Sequence, residues 1–249
     1  MSDLIYVFGI TKGESSKGFS YNGLSAITAA VDEAEFGESV LPERLKDVAW
    51  LSDKVVWHQD CLSEWSARQD VIPFKFGSIF KSVDNVIKML ADQETQFKSI
   101  FQKITGRDEW GLKLFYQPDQ LTLWLEQNDS ELSGALHEIS ESSSGKAFLL
   151  KKKYGQQVKE TVKQKVNETR SQLYELVNGF SEAVQLANEQ PAELTSDRGI
   201  NAFNAALLID KSRGMAVQQQ VVAFHEKIKA SGMALEYTGP WPAYNFATL

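Results

Sequence analysis

The side chains of this 249-residue chain best suited to metal, haem or nucleophilic chemistry are His58, His137, His225 and the single cysteine, Cys61. Their spacing forms none of the usual ligand sets. No His-Glu-x-x-His pair occurs, and one thiol builds neither a cysteine zinc site nor an internal disulfide. His58 lies on the apolar side of a helical stretch, where a hydrogen-bonded core histidine is commoner than a metal ligand. A haem axial ligand at His58 or His225 is the enzymatic or cofactor-binding alternative. Cys61 has no activating partner in a recognisable sequence motif, so it reads as a structural thiol. Gly9, Gly13 and Gly18 are spaced for a polar loop and not for a phosphate-binding turn, and Gly-x-Ser-x-Gly is absent. The expectation is a protein without catalytic residues, cofactor or metal.

Charge narrows the partners. The net charge of −7 argues against nucleic acid. The start Met1-Ser2-Asp3 lacks the basic and apolar regions of a secretory signal, and no apolar run approaches the roughly 18 residues that cross a bilayer. A cytoplasmic protein without a membrane anchor is expected, and a lone cysteine suits a reducing compartment. From Asp119 to Glu141 there are six acids and no Lys or Arg, whereas Lys146 to Glu175 carries eight bases against three acids. The two segments are expected to pair. A membrane-surface helix is the weaker reading of the basic stretch, because its apolar side is mostly valine and has no tryptophan.

Val71-Ile-Pro-Phe-Lys-Phe-Gly-Ser-Ile-Phe80 organises the elements around it. Its apolar run is short for a helix, and Pro73 removes a helical donor, so a strand is predicted, with Pro73 near an edge and Gly77 at a kink. Lys75 is its one charge. Leu4–Ile10 reads as a central strand, and Asn22-Gly23 as a hairpin turn between strands at Phe19–Leu24 and Ser25–Val31. A helix is expected from Pro42 to about Arg68, with Val48, Leu51, Val55, His58, Leu62 and Trp65 facing the core and Trp50, Trp57 and Cys61 on a second stripe. Another helix is predicted from Ser82 to Thr105. Glu109–Tyr116 alternates as a strand and opens a second domain, with the boundary near Arg107. One or two short helices should fill Pro118–Ile139, with a loop over 142–145. A long helix follows from about Gly155 to Pro191, about 54 Å at 1.5 Å per residue. A strand at Phe203–Ile209, a helix bearing Val217, Val221, Phe224 and Ile228, and a strand at Met233–Tyr237 complete the chain. The tail Gly239-Pro-Trp-Pro-Ala-Tyr-Asn-Phe246 is rigid and aromatic, and is expected to pack back onto its own protein.

Three segments together resemble the gas vesicle protein F/L family. They are Trp50-Leu51 with His58 and the run carrying Pro73, Phe74, Phe76 and Gly77; Gly106–Leu114 with Glu109, Trp110 and Gly111; and the tail with Gly239, Pro240, Trp241, Pro242, Tyr244 and Phe246. Leu4–Ile10 and Gly145–Leu149 extend the match over nearly the whole chain. Ala243 departs from a position where proline is common. The resemblance implies an α+β protein of two domains, 1–107 and 108–249. The first would be a modified ferredoxin-like sheet with two helices, the second a small sheet with the long helix at about 155–190. It also implies a non-enzymatic accessory or minor structural protein of gas vesicle assembly, located at the gas vesicle. Its partners would be the hydrophobic major shell protein and other gas vesicle accessory proteins. On that reading Trp50, Trp57 and Lys75 are candidate partner contacts, because an apolar client needs apolar and strand-edge surfaces to hold it.

Overall fold

The computed structural model describes residues 4–13, 19–187 and 199–247. Met1–Asp3, most of the polar loop that ends at Gly18, and Pro191 lie outside them. The described chain is α+β and forms two compact units, one running to Glu109 and resuming at Pro240, the other Trp110–Gly239.

The first unit is built on β1 (Leu4–Lys12), buried along its length except at Lys12. On one side it pairs antiparallel with β3 (Leu24–Val31), and on the other with β4 (Val71–Pro73) and β5 (Ile79–Phe80). The short β2 (Ser20–Tyr21) closes the outer side of β3, giving the order β2-β3-β1-β4 with β5 also on β1. Asn22 and Gly23 both have positive φ, 46° and 77°, the backbone that a two-residue turn matched to strand twist requires. The register slips between Val7 and Gly9, so Phe8 sits at a bulge. A Cβ added at Gly9 would lie 2.5 Å from the Ile72 carbonyl oxygen. Glycine is what lets β1 and β4 approach there.

The run 71–80 is not one strand. β4 stops at Pro73, Gly77 turns with φ 82°, and pairing resumes only at β5. The interruption stays tied to β1, since Phe74 N–H donates to the Phe8 carbonyl at 2.8 Å and Val7 N–H to the Ser78 carbonyl at 2.9 Å. The helix expected from Pro42 to Arg68 is divided as well. Short α1 (Glu33–Phe36) and α2 (Leu41–Arg44) precede α3 (Val48–Ser66), whose start is fixed by the Asp47 carboxylate accepting from the N–H groups of Ala49 and Trp50. The Ser82–Thr105 helix breaks at Gln93 into α4 (Val83–Asp92) and α5 (Glu94–Ile104). Ser82 caps its start and Gly106, with φ 74°, follows its end.

The second unit carries all but the first three residues of β6 (Arg107–Tyr116), α6 (Pro118–Asn128), α7 (Ser130–Ser140), α8 (Ser144–Phe180), β7 (Ala183–Leu186), β8 (Ile200–Asp210), α9 (Gly214–Ile228) and all but the last two residues of β9 (Met233–Trp241), with strand order β7-β8-β6-β9. Its core gathers Leu112 and Leu114 of β6, Leu173 and Val177 of α8, and Leu207 and Val221 behind them. The long helix differs from expectation at both ends. It begins at Ser144, where the 142–145 loop was expected, and ends at Phe180, so Val184 and Ala187 leave it. Val184 instead pairs with Leu207 in the sheet. Valine and alanine at helical spacing also satisfy an edge strand, and the β8 partner decided between them.

Two glycine substitutions should move stability in opposite directions. Gly9→Ala drives a methyl into the Ile72 carbonyl and is expected to cost about 2 kcal/mol, whereas Gly155→Ala, on an exposed helical turn with nothing within 4 Å of the new carbon, should add about 0.5 kcal/mol or more. Urea midpoints at unchanged slope measure both.

Candidate functional site

Tyr6 of β1 is fully buried, and its hydroxyl therefore needs partners. It accepts from Gly77 N–H at 3.0 Å and lies 2.9 Å from His58 Nδ1. On the other side of the ring, His58 Nε2 lies 3.2 Å from the Tyr244 hydroxyl, which donates to Gln59 Oε1 at 3.3 Å. One polarity satisfies every member. The Tyr6 hydroxyl donates to Nδ1, so the proton of a neutral imidazole sits on Nε2 and is donated to Tyr244. Burial lowers the pKa of His58, with an opposing contribution from the Phe74 backbone, and raises that of Tyr6 to about 12. Tyr244 is likewise pushed up by burial. Aromatic rings enclose the chain. Tyr6 has Phe8 at 4.9 Å and Trp57 at 4.9 Å between centroids, and Phe8 stacks on His58.

Glu109 provides the tail with a second anchor. It is buried, and its carboxylate accepts from Asn245 N–H at 2.8 Å and Asn245 Nδ2 at 2.6 Å. Burial raises its pKa, and the bonds from Asn245 and the Phe246 backbone partly offset that. Phe246 is buried beneath Lys103, whose Nζ lies 5.1 Å from the ring centroid. The tail thus packs onto the first unit through His58 and Glu109.

The outer side of α3 is different in kind. At 100° per residue, the exposed Val48, Ser52, Val55, Val56 and Ser63 form a strip about 100° wide that holds no ionisable side chain, bordered on one side by the exposed Asp53, Asp60 and Glu64. Val48, Val55 and Val56 are 80%, 44% and 54% exposed. Three of the residues expected to face the core, Val48, Val55 and Trp65, are exposed, and the reason is bulk. Trp50 and Trp57 fill the space against Phe36 and Tyr6, so the core direction falls between the two stripes. His58 and Leu62 are buried as expected.

Among the described residues no group of three or more His, Cys, Asp or Glu is placed to hold a metal ion. Both ring nitrogens of His58 are engaged by tyrosine hydroxyls. Cys61 is half-buried, and burial raises its thiol pKa to about 11, opposite to the shift of a nucleophile.

The chain matches the family of gas vesicle synthesis proteins GvpL/GvpF over residues 4–248. It belongs to that family. It is 27% identical to gas vesicle protein L of Streptomyces sp. (strain CB03234) over 235 residues, 94% of this chain and 84% of that protein. Its fold is that of two crystal structures. GvpF of Anabaena sp. PCC7120 superposes with a TM-score of 0.74 at 17% identity, covering 100% of this chain and 99% of that one. GvpF of Microcystis aeruginosa gives 0.67 at 19% identity, covering 100% of both.

In this GvpL/GvpF member four of the residues that carried the resemblance belong to the hydrogen-bond network that holds the tail on the first unit. His58, Gly77, Glu109 and Tyr244 bond in it, Phe76 lies 5.9 Å from His58 between ring centroids, and Phe74 packs against Phe97. Pro73 pairs with Gly9. Trp110 stacks on Tyr237 of β9 at 4.6 Å with rings 5° apart, and a Cβ at Gly111 would lie 2.9 Å from Thr238 Oγ1. Gly239 turns with φ 140° ahead of Pro240, Trp241 and Pro242. Trp50 and Trp57 are half-buried. The Trp50 Nε1 proton goes to Glu35 at 2.7 Å, where Lys54 also pairs at 2.9 Å. Lys75 is exposed in the loop after β4. Sequence reasoning missed Tyr6, Gln59 and Asn245. A tyrosine inside a strand buried on both faces was the available signal for the first.

The two anchors respond oppositely to pH. His58 has a folded pKa below its ordinary 6.5, so the unfolded chain takes up a proton that the folded chain refuses. Stability is therefore lost as pH falls through 6.5 toward the folded value. Glu109 has a folded pKa above its ordinary 4.5, so its contribution is full below 4.5 and is lost as pH rises through the folded value. Between about pH 7 and 5.5 the histidine should dominate. Wild-type protein is expected to lose urea stability over that window, and His58→Gln to lose most of the slope. Glu109→Gln, which turns a donor toward the Asn245 amide, should cost about 1–3 kcal/mol at neutral pH.

Proposed function

We propose that this gas vesicle synthesis protein acts in assembly by holding the small, hydrophobic shell protein before it joins the vesicle wall, with other gas vesicle accessory proteins as further partners. The observation that carries this reading is the outer face of α3. In a chain with 24% charged residues, this strip of about four turns presents apolar surface without an ionisable group, and an apolar partner seated on Val48, Val55 and Val56 leaves Asp53, Asp60 and Glu64 at the rim, where they stay solvated. Covering Val48, Val55 and Val56 contributes up to about 1.5 kcal/mol each. Lys75, exposed beside the edge strand β4, and the half-buried Trp50 and Trp57 complete the proposed contact region. Strand addition at β4 would be limited by Pro73, which lacks a donor.

Co-purification with the shell protein tests the reading. Val55→Asp with Val56→Asp should reduce the captured shell protein at least tenfold while circular dichroism and the urea midpoint stay those of the wild type. Trp57→Ala and Lys75→Glu should reduce it further. Unchanged capture by folded variants would overturn the reading.

A further inference from the structure

The first five turns of α8 carry a surface unlike the one on α3. Phe148 and Leu149 are 72% and 68% exposed. At 100° per residue, Phe148, Lys159, Lys152, Lys163 and Leu149 fall in that angular order within about 100°, and all five are exposed. The acidic helices α6 and α7 do not neutralise this side. Glu138 takes Lys146 at 3.0 Å, and Glu126 accepts from the Tyr154 hydroxyl at 2.5 Å. Neither contact reaches Lys152, Lys159 or Lys163, for which no ion pair is found among the described residues, although the exposed Glu160 borders the face. The pairing expected between the acidic and basic segments is thus made at Lys146 and leaves three lysines of one face outward.

We propose that this face binds an acidic amphipathic helix of a partner protein. Lys152 and Lys159 are seven residues apart, about 10.5 Å along the axis, the interval at which glutamates recur on one side of a facing helix. Phe148 and Leu149 supply an apolar anchor at one end and the lysines set register along the rest, which gives the face a direction. A lipid surface fits less well. A helix lying in a membrane interface carries a continuous apolar stripe flanked by cations. Here the cations occupy the middle of the face and apolar residues only its first turn. Nucleic acid fits less well because the chain as a whole is acidic. The face lies on a different unit from α3 and has the opposite character, so it does not depend on the shell-protein reading.

The test is fluorescence anisotropy of the full chain with a labelled synthetic helix of about 20 residues, bearing glutamate at heptad spacing and leucine beside it. A version with every glutamate replaced by glutamine serves as control. The wild type is expected to bind the acidic peptide at least tenfold tighter than the control, with affinity falling as salt rises. Lys152→Glu with Lys159→Glu and Lys163→Glu should abolish that binding and transfer preference to a lysine-bearing peptide. Phe148→Ser with Leu149→Ser should weaken it severalfold without removing its salt dependence. These residues are exposed, so the variants keep the fold, and circular dichroism checks this. Equal binding of both peptides, undiminished binding by the charge-reversed variant, or tighter binding to phosphatidylglycerol vesicles or duplex DNA than to the acidic peptide would each overturn the proposal. Loss of shell-protein capture in the α3 variants with acidic-peptide binding intact would separate the two surfaces.

Discussion

A buried polar chain that must be satisfied at every member holds the first unit in one arrangement. It runs from the Gly77 amide through Tyr6, His58 and Tyr244 to Gln59. A buried hydroxyl or imidazole left without a partner costs on the order of 1–3 kcal/mol. Each group in this chain therefore fixes the next. Tyr6 sets the position of the 74–78 loop, His58 sets the rotation of α3 about its axis, and Tyr244 sets where the tail lies. His58 and Tyr244 are 186 positions apart. The network thus closes the unit with the last stretch of the chain.

This constraint also explains how α3 comes to expose a strip of valines. With His58 turned inward to meet Tyr6, Leu62 and the two tryptophans follow it to the core. Val48, Val55 and Val56 are then left outward by geometry, since a helix packed on one side against a sheet must expose the other. Lys54 belongs to the packed side of the helix, where it pairs with Glu35 and lies over the Phe36 ring at 5.4 Å. The same packing that completes the core leaves those valines outward. On the second unit the relation is reversed. The early turns of α8 bury little, and their lysines remain solvated in a row.

Much of the fold was legible in the sequence because the signals were local. Asn22-Gly23 specified its hairpin, Ser82 its helix start, Gly106 and Gly232 the ends of the helical segments they follow, and the alternation from Trp110 to Tyr116 its strand. Misplaced boundaries came where two patterns are compatible with the same residues. The 142–145 segment is polar enough for a loop and becomes the start of α8. Val184 continues a helical stripe but pairs with β8. The candidate site was legible in part. His58, Glu109 and Tyr244 stood out within recognisable segments, whereas Tyr6 and Asn245 carry no pattern of their own and matter only through what they touch.

By itself the sequence determined the class of the protein and the positions of its chain-reversing glycines and prolines, and it contains no His-Glu-x-x-His or Gly-x-Ser-x-Gly motif. Each follows from residue type and short-range spacing. The tertiary structure decided where between the two apolar stripes of α3 the core lies, which acids reach the basic helix, and what the aromatic tail binds. The physical reason is the same in all three. A helix wheel gives relative angles but not the direction of the core. That direction is set by contacts between residues far apart in the chain, here a tyrosine on the first strand, a histidine on α3 and a tyrosine near the end.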